Sequence, residues 1–372
     1  MTTDASAISA AAPSPNASGG PARSLRRSFR FGDAMLGLVC RGSAAIIALM
    51  LGALVLVLLT SAMPAIKQFG LGFLVSSEWR VNELERPLKD AAGQVVMEDG
   101  EIVMETIKPA FGALPVIYGT AMSSLIALVI AVPLSFGAAL FLVRVAPTLR
   151  IAGPLSFLIE FLAAIPSLAY GIWGLFVLAP FLQSHVGPAI KATLENVPGL
   201  RWMFYESVTI AGTVVERPIP ITGRDMLCGS LVLAIMILPI VTSVSRDVLK
   251  AVPRTQIEGT LALGATWWQS CVAMLRYGRS GLFGAVMLGL ARAAGETMAI
   301  TMVIGNNNQI NPSPFAPAQT MASLLANEFA EASEGLHQAS LLYVALVLLV
   351  MSLLFNVIAR RLVVGKASPA GH

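Results

Sequence analysis

The chain is 372 residues long, with 56% hydrophobic and 12% charged residues, whereas a soluble domain carries about 25% charged residues. Its 25 Lys and Arg and 21 Asp and Glu side chains are too few to cover a water-soluble fold of this length, and the formal net charge is only +4. A mean hydropathy of +0.75, three Cys and 32 Gly exclude disulfide-rich, collagen-like and disordered classes and indicate a membrane protein.

The first predicted element is a disordered cytoplasmic tail, residues 1–30, because the residues up to position 22 are rich in Ala, Ser, Pro and Gly and have no apolar periodicity. Residues 31–66 follow as the first transmembrane helix, with a charge-free run from residue 42 to residue 66. A cleaved signal peptide is the alternative interpretation. The run is longer than the apolar core of a signal peptide, and about forty residues precede it, so we predict an uncleaved helix.

Five more segments have the length and apolar character of membrane-spanning helices, at about 20 residues per crossing. They are residues 114–142, 161–182, 226–244, 282–304 and 341–363. Because irregular backbone cannot face lipid, these spans must be helices. The sequence therefore predicts an all-α membrane protein with six transmembrane helices, five of which form a core over residues 114–364.

The distribution of Lys and Arg outside the predicted helices indicates the orientation of the chain. Fifteen of these residues lie on the side of both termini, and nine lie on the other side, in two long loops. Cytoplasmic loops carry an excess of basic residues, so both termini are predicted to be cytoplasmic. In that orientation residues 67–113 and 185–225 are periplasmic loops, whereas the loop 245–281 and the tail 365–372 are cytoplasmic.

Two segments of the predicted periplasmic side have a distinct character. Residues 80–108 are acidic and polar, which indicates either a solvated surface or a docking face for an external partner. Residues 320–329 place Met321, Leu324 and Leu325 at helical spacing, which predicts a short amphipathic helix at the membrane interface.

The predicted cytoplasmic loop between the fourth and fifth helices encodes two short helices in succession. Thr255 and Glu258 have the spacing of a capping box at the start of the first helix. Gly264 supplies the positive φ of a helix stop. Thr266 and Gln269 then repeat the capping-box spacing. These signals predict a short rigid helix across the cytoplasmic face, which is either a docking element or an ordinary well-capped loop helix.

The same loop resembles a known coupling element. Ile257 and Leu261 lie on one face of the first short helix and give it an apolar surface. Glu258 and Gly264, six residues apart, resemble the EAA loop of ABC importer permeases, which docks to an ATPase. The sequence departs from that loop at both of its Ala positions, and residues 274–277 replace its Ile-x-Leu-Pro.

Four further stretches look like the phosphate-specific transport (Pst) permeases, and they match the C subunit best. They are residues 111–120, 130–137, 165–175 and 287–299. The long first outer loop also favours the C subunit over the A subunit. The resemblance covers about residues 31–364, and it implies the fold of a type I ABC importer permease with large periplasmic loops and a cytoplasmic coupling-helix loop.

The resemblance also implies partners. They are a second, A-type permease subunit, a dimeric cytoplasmic ATPase and a periplasmic phosphate-binding protein, in a bacterial inner membrane. The chain contains no G-x-x-x-x-G-K-[ST] motif, so ATP and Mg²⁺ are expected on the ATPase and no cofactor is expected here. The chain is predicted to be a non-catalytic subunit that binds no metal and no nucleic acid.

Two charged residues lie inside the fifth predicted helix. Counted from residue 282 at about 1.5 Å per residue, Arg292 lies near the middle of a hydrocarbon core about 30 Å thick. A charge there costs about 2.5 to 3.5 kcal/mol, and Glu296 has the i, i+4 spacing to pair with it. The pair is either a structural salt bridge or a site where Arg292 meets an anion in transit and Glu296 holds the guanidinium otherwise. The Pst resemblance favours the second interpretation.

Other polar residues are weaker candidates. Ser167 and Tyr170, at i, i+3 in the third predicted helix, either line the pathway or join helices. Glu160 is predicted to lie at the membrane interface. The three His residues have no metal-binding spacing and are predicted to be solvated: His185, His337 and His372.

Three function classes are consistent with these observations to different degrees. The first is a permease of an ATP-driven importer for phosphate or for another oxyanion, molybdate or sulfate. The second is a secondary anion transporter, for which an internal repeat is expected and none is detected. The third, an intramembrane enzyme, is the least favoured because the sequence has no H-E-x-x-H, Cys/His cluster or nucleophile-elbow motif.

Overall fold

The computed structural model describes residues 22–87, 97–98, 101–102, 104–210, 213–333 and 335–364. The chain divides into two units, Met1–Val57 and Leu58–His372. The predicted tails 1–21 and 365–372 lie outside the described residues. Helix α1 spans Ala22–Phe69. Residues 22–30 are therefore helical rather than part of a disordered tail, because no Pro or Gly interrupts this stretch of helix-compatible side chains.

The first predicted periplasmic loop contains a short helix and two antiparallel strand pairs. Helix α2 covers Gly72–Val75. Strand β1 (Leu84–Pro87) pairs with β4 (Met104–Ile107), and β2 (Met97–Glu98) pairs with β3 (Glu101–Ile102). The described part of the acidic segment 80–108 thus contains β-strands, within a mainly helical chain.

Among the described residues of the second unit, the most extensive packing between two helices joins α3 (Leu114–Leu140) and α8 (Met226–Lys250). Helix α3 continues as a π-helical turn, Phe141–Val145. Small residues let the two backbones approach closely, and the Ser135 hydroxyl of α3 donates a hydrogen bond of 3.2 Å to the Leu238 carbonyl of α8. These two helices match the predicted second and fourth spans.

The third predicted span is not one continuous helix. Helix α4 (Ala152–Ala163) ends before Pro166, and α5 (Ser167–Trp173) begins after it. Pro166 is extended, with ψ 140°, and a proline both lacks the N–H that a helix needs and restricts the residue before it. The prediction of a helix across 161–182 was therefore wrong at residues 164–166.

After α5 the chain remains helical but irregular. Two π-helical turns, Gly174–Leu178 and Leu182–Val186, flank α6 (Ala179–Phe181), and α7 (Gly187–Leu194) follows. Together these pieces form an apolar segment long enough to cross a membrane, Ser167–Leu194.

The second predicted periplasmic loop holds another hairpin. A 3₁₀ turn, Arg201–Met203, leads into β5 (Tyr205–Ile210), which pairs with β6 (Thr213–Pro218). The Arg201 guanidinium lies 4.9 Å from the centre of the Tyr205 ring and 2.9 Å from the Glu216 carboxylate. The hairpin is therefore braced by side-chain contacts at its base.

Four helices follow α8: α9 (Arg254–Ala262), α10 (Trp267–Tyr277), α11 (Arg279–Ala294) and α12 (Met298–Val303). The predicted fifth span, 282–304, is broken at residues 295–297. The last α-helical bond runs from the Gly295 N–H to the Ala291 carbonyl, and the Glu296 N–H then bonds three residues back, to the Ala293 carbonyl, so the regular ladder of α11 ends there. Five helices of the described residues, not six, are long and apolar enough to span a membrane.

The last two helices close a separate apolar core. They are α13 (Met321–Glu328) and α14 (Leu336–Val364). Thr320 caps α13 in a capping box with Ser323, which confirms the predicted helix at 320–329. Its apolar face is buried in the core rather than at a membrane interface, since Met321 and Leu324 are both fully buried.

The prediction that His337 is solvated was wrong. Its side chain is buried, its ring stacks on Phe111, and its Nε2 lies 3.1 Å from Glu328 Oε2. The Trp79 indole donates to the same oxygen at 2.8 Å. These contacts link the segment before β1 to the junction of α13 and α14, which no local sequence pattern reveals.

Candidate functional site

The break between α11 and α12 brings the two membrane charges together. Arg292 lies in the last turn of α11, and Glu296 lies in the break itself. Arg292 Nη2 is 3.6 Å from Glu296 Oε2. The pair predicted from i, i+4 spacing is therefore present, although the helix ends between the two residues.

The two partners have different environments. The Glu296 side chain is 5% exposed, whereas the Arg292 side chain is 49% exposed. Glu296 Oε1 also accepts a long contact of 3.4 Å from the Ala299 N–H at the start of α12. The carboxylate is thus fixed against backbone, and the guanidinium has a second, open side.

The pairing is loose. A separation of 3.6 Å is longer than a hydrogen bond, so the two groups interact by charge alone. Charges about 4 Å apart gain about 1 kcal/mol in water and about 4 kcal/mol at an effective dielectric constant of 20. With the Arg292 side chain half exposed, another anion can reach the guanidinium and compete with Glu296 for it.

Tight packing holds the break in place. A Cβ at Gly171 would lie 2.9 Å from the Ala299 Cα, so α5 and α12 are in backbone contact. A Cβ at Gly289 would lie 2.7 Å from a methyl group of Val241, so α11 packs closely on α8. Irregular backbone at membrane depth is tolerated where it is buried in protein or lines a cavity, and this break has both a buried and an open side.

Ser167 and Tyr170 lie on α5, which packs against α12, but they do not join the charged pair. The Tyr170 hydroxyl donates a 2.8 Å hydrogen bond to the Leu162 carbonyl, across the break between α4 and α5. Within the described ranges, no hydrogen bond links Ser167 or Tyr170 to Arg292 or Glu296. The contact of Tyr170 with its own segment favours helix joining for this residue.

The loop after α8 carries one of its two predicted capping boxes. Pro253 is the residue before α9 and provides no side-chain cap, so the helix starts at Arg254 and places Thr255 inside the first turn. The predicted box of Thr255 and Glu258 was therefore wrong. Gly264 has φ +84°, which confirms the predicted stop.

The second box is present. The Thr266 hydroxyl accepts from the Gln269 N–H at 3.3 Å, and the Gln269 side chain accepts from the Thr266 N–H at 2.8 Å. Helix α10 therefore starts at Trp267, three residues after the positive-φ glycine, and the α9–α10 turn is fixed at both ends.

The apolar face of this loop differs from the one predicted. Ile257 is half-buried against the core cluster around Leu249 and Met274. Leu261 is exposed, together with three side chains that the helical-face argument missed. The exposed set, called the α9–α10 apolar patch below, is Leu261, Leu263, Trp267 and Trp268. Two adjacent Trp residues directly after a helix cap are the sequence signal for this patch.

The described residues offer no metal site: no group of three or more His, Cys, Asp or Glu side chains is placed to hold an ion. Glu160 lies beside Arg246, with 3.2 Å between its Oε1 and the guanidinium Nη1. The candidate site therefore consists of a charged pair, which suits anion binding, and the α9–α10 apolar patch, which suits protein docking.

Comparison with known proteins shows the family to which the chain belongs. Residues 131–364 match the family model "Binding-protein-dependent transport system inner membrane component". The phosphate transport system permease protein PstC of Mesorhizobium japonicum is 39% identical over 335 residues, covering 90% of each chain. The PstC proteins of Haemophilus influenzae and Xylella fastidiosa strain 9a5c are 38% and 40% identical, covering 86% and 72% of this chain and 89% and 78% of their own.

Proposed function

Because the chain belongs to the family of binding-protein-dependent transport system inner membrane components, we propose that it is a permease subunit of an ATP-driven phosphate importer. It forms the translocation pathway with a second, A-type permease subunit. The names of the relatives support phosphate over molybdate or sulfate, and an importer over a secondary transporter. The chain is a multi-pass protein of the inner membrane.

The partners follow from this proposal. Both termini and the α9–α10 loop lie in the cytoplasm, where the loop docks to a dimeric ATPase that binds ATP and Mg²⁺. The docking surface is the α9–α10 apolar patch, since its large side chains are exposed in the chain by itself. The β5–β6 hairpin and the strands of the first loop lie in the periplasm and face the phosphate-binding protein.

The observation that carries the transport mechanism is the loose pair at the break between α11 and α12. The open side of the Arg292 guanidinium offers a cation and parallel N–H donors, which suit a phosphate oxygen pair. The buried Glu296 carboxylate holds the guanidinium when no anion is present.

Glu296 also provides a release step. Without a competing carboxylate, an arginine in a low-dielectric site holds a phosphate ion too tightly for turnover. Because the pair is 3.6 Å apart and one partner is half exposed, phosphate displaces the carboxylate at a low cost, and the carboxylate displaces phosphate on the way out.

The test uses the double variant Arg292→Gln with Glu296→Gln. The Arg292→Gln change alone leaves the buried Glu296 carboxylate without its cation, so a loss of uptake in that variant does not separate lost assembly from lost transport. The double variant removes both charges and restores assembly. We expect the double variant to purify with its ATPase at wild-type yield, while phosphate uptake into proteoliposomes falls about 10- to 100-fold, which is the loss of a charge-assisted contact.

A matched control tests whether the loss of any positive charge from α11 lowers uptake. Arg279→Gln removes a charge from the same helix, at its exposed N-terminal end, and uptake is expected to stay at the wild-type level. If the double variant assembles and also transports phosphate at the wild-type rate, Arg292 is only an architectural residue and the transport role is refuted.

A further inference from the structure

A cavity of about 780 Å³ lies on the face of the protein that carries α9. It is half open, and it is lined by the first turns of α4, the last turn of α8, the π-helical turn after α3, and α9 itself. None of its lining residues belongs to α11 or α12, so it is separate from the Arg292–Glu296 pair.

The charged side chains in the cavity wall are mostly basic. They are Arg144, Arg246, Lys250, Arg254, Glu160 and Glu258. Arg246 is already engaged, because Glu160 lies 3.2 Å and Asp247 3.1 Å from its guanidinium. The ion pairs of the described residues include no partner for Arg144, Lys250 or Arg254. The cavity therefore has a surplus of positive charge.

Arg144 places an uncompensated charge in the cavity wall. Its Nη2 donates to the Ser270 hydroxyl at 3.0 Å, its Nε is buried and has no hydrogen-bond partner among the described residues, and none of their carboxylates forms an ion pair with it. A guanidinium without an acidic partner at the edge of a cavity is suited to an anion supplied from outside the chain.

The rest of the wall indicates the kind of acceptor. The N-terminal turn of α4, a 12-residue helix, contributes Ala152 and Gly153, and the positive end of a helix dipole favours an anion. Leu142, Leu249 and Leu261 supply apolar surface beside the charges. This combination of guanidinium, helix N-terminus and apolar wall suits a phosphate group that is free or attached to an apolar molecule.

We propose that this cavity is a second anion site, which binds a phosphate group carried either by free inorganic phosphate or by the headgroup of an anionic phospholipid. Ile257 and Glu258 of α9 line the same cavity, so the occupant contacts the helix that faces the ATPase and restrains its position. The assignment of the site to the cytoplasmic side, and of α9 to the face that meets the ATPase, rests on the proposed function.

The first arm of the test measures free phosphate. The assembled complex is placed in nanodiscs of phosphatidylcholine, and binding of radiolabelled inorganic phosphate is measured by equilibrium dialysis. The Arg292→Gln, Glu296→Gln double variant serves as background, so that the pathway pair does not contribute. Arg144→Gln is expected to weaken binding about tenfold or more, because a charge-assisted donor is lost.

Glu160→Gln is expected to act in the opposite direction. It removes one of the two carboxylates that engage Arg246 and a negative charge from the cavity wall, so phosphate binding tightens. A change that merely damages the fold does not tighten binding. Arg276→Gln, at an exposed basic residue outside the cavity, serves as the matched control and is expected to leave binding unchanged.

The second arm measures lipid. Complexes released from discs that contain phosphatidylglycerol are weighed by native mass spectrometry, and the wild type is expected to retain phosphatidylglycerol that the Arg144→Gln variant loses if the occupant is a lipid. The proposal is overturned if Arg144→Gln changes neither phosphate affinity nor lipid retention, or if Glu160→Gln weakens both. Either failure leaves the uptake test of Arg292 untouched, so the two proposals fail separately.

Discussion

Asp225 makes stability depend on pH in a direction opposite to that of most acidic residues. Its side chain is 1% exposed at the start of α8, and its Oδ1 accepts a 2.8 Å hydrogen bond from the Cys228 N–H. Burial raises the pKa of this carboxyl from 3.8 to about 6, although the backbone N–H groups of Cys228 and Leu227 act to lower it. The folded chain therefore holds a proton that the unfolded chain has already lost between these two values.

The sign and size follow from proton linkage. Between pH 3.8 and about pH 6 the folded state binds more protons at Asp225 than the unfolded state, so the free energy of unfolding falls as the pH rises. At 1.36 kcal/mol per pKa unit, the full effect is about 3 kcal/mol, present below pH 3.8 and lost above about pH 6. Because the residue is fully buried, solvent screening does not reduce this figure appreciably.

Asp225→Asn removes the titrating group and keeps an oxygen that accepts from the Cys228 N–H. Thermal unfolding of the detergent-solubilised complex is followed from pH 4 to pH 7 for the wild type and the variant. The difference between the two curves is expected to change by up to about 3 kcal/mol across this range, with the variant gaining at high pH. Asp247→Asn removes a largely exposed carboxylate of the same helix and serves as the control for the loss of a negative charge. A wild-type-minus-variant difference that stays flat with pH refutes the burial argument.

Two further substitutions test the packing and the loop. Gly264→Val forces a β-branched residue into φ +84°, at a strain of about 1 to 2 kcal/mol, and should lower substrate-stimulated ATPase activity. Gly259→Val is the control and should leave this activity unchanged, because Gly259 has an ordinary φ and open space around its Cβ. Equal ATPase activities of the two variants contradict the role of Gly264 as a helix stop. Gly171→Ala places a Cβ 2.9 Å from the Ala299 Cα and should cost about 1 to 3 kcal/mol in thermal stability of the complex. Gly153→Ala meets nothing within 4 Å, so a matching loss there would show that the α5–α12 contact is not the cause.

The long apolar helices were predictable because a charge-free run is itself the signal for a membrane span. The first residues of α3 and α8 agree with the predicted ones, at Leu114 and Met226. The breaks within the third and fifth spans were not predictable from hydropathy, because hydropathy is averaged over a window of residues and does not show where the backbone leaves the helical conformation. Pro166 offered a local signal for one break, whereas the break at Glu296 is marked in the sequence by Gly295 alone, and a single glycine inside an apolar segment does not by itself end a helix.

In the candidate site, contacts between residues close in sequence were predictable, whereas contacts that depend on distant residues were not. The pair of Arg292 and Glu296 was predictable because four residues separate them in sequence. The environment of Tyr170 was not, since its hydroxyl bonds across a break that hydropathy missed. The burial of Ile257 depends on Leu249 and Met274, which lie on other helices, so no pattern within α9 could give it.

The shared oxygen of Glu328 has a consequence for how the chain is made. The contact between Trp79 and Glu328 closes a loop of 249 residues, and the hydroxyl of Tyr343 reaches back 273 residues to the Gly70 carbonyl at 3.2 Å. A chain emerges from its N-terminal end during synthesis, so neither contact forms until nearly all of the intervening helices have been inserted. Until then the Phe111 ring, which contacts the Trp79 indole, is not stacked on His337 of α14, so this part of the fold is completed only when the final helix is in place.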